Sequence, residues 1–349
     1  MPVSGAEAAR RERKMVTIKD VARAAGVSPA TVSRVLNERP DVDPELAERV
    51  QAAIVELGYQ PSRVARNLRR RETSVWGMII SDIRNPFFTD MVRGVEDVAY
   101  GAGYSLVLCD SDEDVAKEAR YLDLIMAERM AGAIVSPASS VGSNLNPVIA
   151  QGIPVVLVDR RVDSPILDTV MVDDRRAARG AVEHLIANGY RRIACVTGPL
   201  DTTTGQERLA GYRDALERTG RPPEDELVRT ADFKVGGGFA ATRSLLELPE
   251  PPEAIFVANN LMTLGALSAI EAMGLVVPDE VALVGFDDMP WAPLIRPPLT
   301  AVAQPTYELG LETARLLLAR IRGEKGPPRH VMLAASLEIR GSSAPRQRT

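Results

Sequence analysis

The chain has 349 residues, a formal net charge of −5, 45% hydrophobic and 26% charged residues. That is the composition of a globular protein with room for two or three domains, and it excludes a fibrous or wholly disordered chain. No apolar run is long enough to span a membrane, and the opening MPVSGAEAARRERK lacks the apolar core of a secretory signal, so cytoplasmic residence is expected.

Residues 1–15 read as a disordered leader, with Met15 an alternative start. A headpiece follows over residues 16–60. Thr17 caps a first helix, with Asp20 as the acidic half of a capping box. Ile18, Val21, Ala22 and Ala25 share one helical face. Gly26 stands where a left-handed residue ends the helix. Ser28 caps a second helix, and Pro29 fits its first turn. Val32, Val35 and Leu36 turn inward, which leaves Ala30, Thr31, Ser33 and Arg34 on or near the open face. Asp43, Pro44 and Glu45 open a third helix striped by Leu46, Val50, Ile54 and Leu57 and closed by Gly58. Two short helices around a glycine turn, the second with a small polar face, are what a DNA major groove accepts. The alternative is an ordinary helical hairpin.

Residues 61–73 read as a linker. Pro61 breaks the chain, and Arg63, Arg66, Arg69, Arg70 and Arg71 repel one another until phosphates neutralise them. On DNA the segment is expected to fold as a hinge helix with Val64, Ala65 and Leu68 as its apolar side, Leu68 wedging into a minor-groove step. Charge agrees: residues 1–72 hold 14 Lys and Arg against 10 Asp and Glu, and the remainder holds 28 against 37. A basic head sits on an acidic body.

From Ser74 the texture changes to apolar strands alternating with amphipathic helices: VWGMII, SLVLCD, GAIVS, PVVLVD, then RIACVTG, AIFVAN and VALVGFDD. Such alternation means parallel sheets covered on both faces. It occurs twice, so two doubly wound lobes are expected over residues 74–340, with a ligand cleft between the carboxyl ends of their strands. The lobes are expected at about 74–171 with 304–333, and 172–303 with 334–340; residues 341–349 form a polar tail. Cys109 and Cys195 lie in apolar runs and read as buried small side chains. His184 and His330 are far apart with no ligand cluster, so neither a metal nor a cofactor is expected. The one glycine cluster, Gly236 to Gly238, lacks dinucleotide-loop spacing, and there is no phosphate-binding loop or nucleophile elbow. An enzyme on this fold and a pure sugar receptor remain the rival readings.

TIKDVARAAGVS, TVSRVLN, PSRVARNL, GMII with NPFF, TGPLD, ERLAGYRDAL, VANNLMTLGA, LVGFDD and PPLTAVAQP together resemble the lactose-repressor/galactose-repressor (LacI/GalR) family of bacterial transcription regulators, over Val16 to about Arg340. The resemblance implies a helix-turn-helix headpiece followed by a core of periplasmic-binding-protein type. It implies a homodimer on pseudo-palindromic double-stranded operator DNA, gated by a small sugar effector. It puts base reading on Pro29, Ala30 and Arg34, and phosphate contact on Thr17, Ser28, Thr31, Ser33 and Asn37. The family's hinge leucine falls on Leu68, within Arg63, Val64, Ala65 and Arg69. In the cleft, similarity to ribose-binding relatives implies a ligand set of Asn85, Phe87, Phe88, Asp159, Arg160, Phe233, Asn259, Asp287 and Gln304. Gln206 joins it at a position where many sugar-binding relatives carry arginine, a departure from the pattern for ribose. Arg208 is assigned either to ligand or to scaffold, and Trp291 either to the cleft mouth or to loop packing. The chemistry is consistent: Phe87, Phe88 and Phe233 suit apolar sugar faces, and the carboxylates and amides suit hydroxyl edges. Phe239, Phe256 and Phe286 are left for the core. Repression relieved by ligand is expected, with co-repressor-dependent regulation by a non-sugar ligand, as in the purine-binding branch, as the alternative.

Overall fold

A computed structural model describes residues 16–36, 42–59, 73–164, 166–220 and 222–345. It comprises two units that divide between Glu72 and Thr73. The first holds helices α1 (Ile18–Ala25), α2 (Pro29–Leu36) and α3 (Pro44–Leu57). The Asp20 carboxylate accepts the Thr17 N–H at 3.0 Å and the Thr17 hydroxyl at 2.7 Å. Gly26 ends α1 at φ 65°. A side chain there would also collide with Arg49, whose guanidinium donates to the Ala25 carbonyl at 2.6 Å and ties α3 to the end of α1. Ser28 Oγ accepts the Thr31 N–H at 3.1 Å, and Asp43 accepts that of Glu45 at 2.9 Å, so both following helices are capped by side chains. Val21, Ala22, Ala25, Val32, Val50 and Ala53 form the small core; Leu46, expected in the stripe, lies outside that cluster.

The second unit is a pair of lobes. The N lobe is a six-stranded, all-parallel sheet in the order β11-β5-β4-β3-β1-β2. Its strands are β1 (Val75–Ile80), β2 (Ser105–Asp110), β3 (Gly132–Val135), β4 (Val155–Val158), β5 (Asp168–Val172) and β11 (His330–Leu333). Helices α4 (Phe87–Gly101), α5 (Val115–Ala127), α6 (Asn146–Ala150) and α11 (Thr306–Ile321) belong to this lobe. The C lobe has the order β12-β10-β9-β8-β6-β7, with β12 antiparallel to β10. Its strands are β6 (Ile193–Thr197), β7 (Val228–Thr230), β8 (Ala254–Val257), β9 (Ala282–Phe286), β10 (Thr300–Ala303) and β12 (Ser336–Glu338). Helices α7 (Asp174–Ala187), α8 (Thr203–Glu217), α9 (Val235–Leu246) and α10 (Asn260–Ala272) cover it. The chain crosses between lobes from β5 to α7, from β10 to α11 and from β11 to β12.

The strand–helix pattern does not single out β5, β10, β11 or β12. None is followed by a covering helix of its own lobe, because β5, β10 and β11 each feed a crossing and β12 receives the last one. The helix pairs approach closely through glycine. A Cβ on Gly94 would meet the Tyr307 carbonyl oxygen at 2.3 Å, and one on Gly310 would meet that of Met91 at 2.1 Å, at the α4–α11 contact. Gly238 and Gly265 do the same for α9 and α10, so the last glycine of the cluster that opens α9 serves helix packing. Cys109 and Cys195 are buried free thiols. Phe256 and Phe286 are fully buried, whereas Phe239 is only half-buried.

Candidate functional site

In each lobe the strand order reverses around the first strand, β1 or β6, and loops after the parallel strands face the opposite lobe. Asn85 follows β1, Asp159 and Arg160 follow β4, Phe233 follows β7, Asn259 follows β8, Asp287 follows β9 and Gln304 follows β10. The structure brings these seven, with Phe87 and Phe88 from the start of α4, around one narrow cavity of about 20 Å³. Asp82, Glu113, Thr204 and Arg208 complete the wall. That is room for about one water molecule, far below the roughly 300–1,000 Å³ of ligand pockets, so a ligand of sugar size enters only as the lobes part.

Phe87 and Phe88 meet edge to face with ring centres 5.0 Å apart, and both also belong to the N-lobe core. Phe233 comes from the C lobe, with the Arg160 guanidinium 5.1 Å from its ring centre. Arg160 is buried. Its two terminal nitrogens grip Glu113 at 2.5 and 2.8 Å, while its Nε has no hydrogen-bond partner among the described residues. Thr204 Oγ1 is likewise buried and unpartnered. Arg160 Nε faces Asp159 Oδ2 at 3.7 Å, beyond hydrogen-bond reach, so two buried wall donors are left without a hydrogen bond among the described residues.

Arg208 is both wall and scaffold. Its Nε–H donates to Asp174 at 2.7 Å, an Nη donates to the Ala258 carbonyl at 2.7 Å, and the guanidinium carbon stands 3.8 Å over the Phe286 ring. Burial pushes the Asp159 carboxyl up to about 7, although Arg160 and Arg208 pull it down. Burial also pushes Asp174 up to about 6 and raises Asp287. Three carboxyls around two arginines, all away from water, are raised by burial against the pull of the cations.

Backbone strain collects here too. Among the described residues, non-glycine positive φ occurs at Asp112, Glu113, Arg129, Asp159, Phe233 and Asp287. All but Arg129 line the cavity or stand at its edge, and a left-handed phenylalanine is a conformation that surroundings must impose.

Two expectations change in detail, and the open reading of Trp291 closes on packing. Gln206 does not reach the cavity. It lies on α8 two residues from both Thr204 and Arg208, which face inward at helical i, i+4 spacing; Gln206 is therefore turned to solvent, where its amide donates to the Leu200 carbonyl at 2.7 Å. Asn259 and Gln304 line the cavity with amides already engaged: Asn259 caps α10 and holds the Phe233 carbonyl, and Gln304 donates to Asp287 at 2.5 Å. Trp291 packs against the C-lobe core, and its neighbour Asp288 pairs with Arg340 at 2.7 Å. Sequence reasoning missed Asp82, Glu113 and Thr204, which no spacing rule marks.

In the headpiece, Ser28, Pro29, Ala30 and Arg34 are exposed, Thr31 and Ser33 are half-buried, and Thr17 is exposed at the head of α1. Asn37, Arg63, Val64, Ala65, Leu68 and Arg69 lie outside the described residues, as do the leader and residues 346–349.

Residues 17–62 match the family described as bacterial regulatory proteins, lacI family, and residues 182–343 match the periplasmic binding protein-like domain. The ribose operon repressor of Escherichia coli strain K12 is 38% identical over 335 residues, covering 94% of this chain and all of that protein. The chain belongs to the LacI family. Its fold agrees with that of a lac repressor dimer bound to operator and the anti-inducer ONPF: TM-score 0.82, 31% identity, 95% of this chain and all of the other. A LacI family regulator from Enterococcus faecium with bound ribose covers 78% of this chain and all of its own, with TM-score 0.69 and 29% identity. This LacI-family chain is accordingly a DNA-binding transcriptional regulator, with a helix-turn-helix region ahead of two parallel-sheet lobes. No helix among its described residues is long and apolar enough to cross a membrane.

Proposed function

We propose that the protein is a cytoplasmic, non-enzymatic repressor of carbohydrate-metabolism genes. It binds a pseudo-palindromic operator as a homodimer and changes its operator affinity when a small sugar, a pentose such as ribose, occupies the cleft. One observation carries the sugar reading: a cleft wall that joins aromatic rings from both lobes, carboxyls at Asp159 and Asp287, and buried donors at Arg160 Nε and Thr204 Oγ1 with no hydrogen-bond partner among the described residues. Phe87 and Phe88 on one side and Phe233 on the other suit the ring faces of a sugar, and the carboxyls accept from its hydroxyls. The names of the ribose operon repressor and of the ribose-bound regulator support the same class.

On the DNA side, Arg34 is the base reader, exposed on α2 and able to take guanine O6 and N7 together. Pro29 and Ala30 offer only apolar contact. Thr17, Ser28, Thr31, Ser33 and Asn37 meet phosphates, and the arginine hinge with Leu68 enters the minor groove. The edge strand β2 presents Val107 and Leu108 to solvent, an open edge that a second copy would cover. Sugar acts by favouring the closed lobe pair, and it shifts the operator equilibrium only by its differential affinity for the two states.

The test is a mobility-shift titration on DNA selected by the protein, with and without pentoses and hexoses. A pentose is expected to weaken the complex in wild type and to leave Asp287→Ala unmoved. If no sugar shifts the affinity, the reading fails.

A further inference from the structure

Lys234 stands in the turn between β7 and α9, next to Phe233. Its Nζ reaches out of the C lobe to two N-lobe carboxylates, Asp82 at 2.7 Å and Asp112 at 2.5 Å. Arg84 closes the set by pairing with Asp82 at 3.1 Å and Asp112 at 3.0 Å. The group runs from the cavity wall to solvent: Asp82 lines the cavity and is 5% exposed at its side chain, Lys234 is 23% exposed and Asp112 48%.

Its place in the two sheets gives it leverage. Asp112 follows β2 and Lys234 follows β7, the two strands at the free edges of their sheets. The crossings between lobes leave from β5, β10 and β11, at or next to the opposite edges. Four strand spacings separate β5 from β2, and four separate β10 from β7, about 19 Å in each lobe. Bending at the crossings therefore moves the Lys234 edge furthest. Other lobe-to-lobe hydrogen bonds lie nearer the middle: Ser140 N–H to the Asp201 carbonyl at 2.6 Å, and Asn260 to Asn85 at 2.8 Å.

We propose that Lys234 is a specificity-determining residue: its ion clasp with Asp82 and Asp112 bars the open edge of the cleft and restricts the effector to a ligand wholly enclosed by the lobes, a single unsubstituted monosaccharide. A glycosyl or phosphate group projecting past Asp82 meets a closed set of paired charges and must part them before the lobes can shut. The same clasp holds the shut state, so it slows the escape of an enclosed ligand. This rests on the sugar reading above for the identity of the ligand, but not for the clasp itself.

The test uses the full chain, with calorimetry and stopped-flow release of D-ribose, ribose 5-phosphate and cellobiose. Wild type is expected to bind ribose and to discriminate against both larger ligands by at least about a hundredfold, within the range of coupled binding. Lys234→Ala should weaken ribose roughly tenfold, mainly through faster release, and shrink the gap to cellobiose. Asp112→Ala should do the same, and the double variant should be no worse than either single one, because both remove one interaction. Lys234→Arg should restore most of the effect. Unchanged ribose release and unchanged discrimination in Lys234→Ala would overturn the proposal. If wild type binds no ribose, the sugar reading falls, and the clasp is then judged by the distance between labels at the exposed Val141 and Val276, one in each lobe. A longer or broader distance in Lys234→Ala supports it, and an unchanged one refutes it.

Discussion

Arg208 and Asp174 meet at 2.7 Å with both side chains buried, in the wall where the C lobe faces the cleft. The same guanidinium stands 3.9 Å from Asp287 and, at longer range, pulls Asp159 down in part against burial, which still leaves that carboxyl raised to about 7. One cation thus offsets, in part, the burial that raises three carboxyls.

Replacing Arg208 with Met should cost about 3–5 kcal/mol of stability, because a buried pair loses its partner and leaves the carboxyls behind. Denaturant unfolding at neutral pH measures this, and a loss below about 1 kcal/mol would show that water already screens the site.

Asp159 and Asp174 link stability to pH. Their folded values, about 7 and about 6, lie above the ordinary 3.8. Each contributes stability fully below its unfolded value, and the contribution drains away as pH rises through the folded one. Asp82, Asp112, Asp168 and Asp214 are held low and act the other way, losing their contribution as the medium turns acid. Asp159→Asn removes one draining term. The variant should gain on wild type by about 2–3 kcal/mol between pH 5 and pH 8. Equal differences at both pH values would contradict this.

Gly198, after β6, leaves room for the Phe233 ring. A Cβ there would stand 2.0 Å from the ring's Cζ. Gly198→Ala should push the ring out of place and abolish the effector response while operator affinity stays near wild type. Parallel titrations of sugar and DNA decide it; an intact sugar response would mean that the ring moves without consequence.

Gly310 sits where α11 crosses α4, and a methyl group added there would stand 2.1 Å from the Met91 carbonyl oxygen. Backbone cannot yield as a side-chain tip can. Gly310→Ala should therefore destabilise the core by about 1–3 kcal/mol or more despite the better helix propensity of alanine. The melting temperature reads it, and a rise would show that the helices separate freely.

Much of this protein is legible along the chain because its signals are local. A cap such as Ser28, a left-handed glycine such as Gly26, and the alternation of apolar strand with amphipathic helix each depend on neighbours a few residues away. They yielded the headpiece, two doubly wound lobes and nine of the cavity residues, the last by family resemblance as well as by place at strand ends. Only the tertiary structure decided which side chains are free to bind and which are spent on scaffold. Asn259 and Gln304 look like donors in sequence, yet their amides hold Phe233 and Asp287. Gln206 sits in the right motif on the wrong side of its helix. Asp82, Glu113 and Lys234 carry no local mark, because Glu113 meets Arg160 only across the N-lobe sheet and Asp82 meets Lys234 only when the two sheets close on each other. Burial and charge partnership are properties of that closure, and they are what raises Asp159, grips Arg160 and joins Lys234 to Asp112 across the cleft.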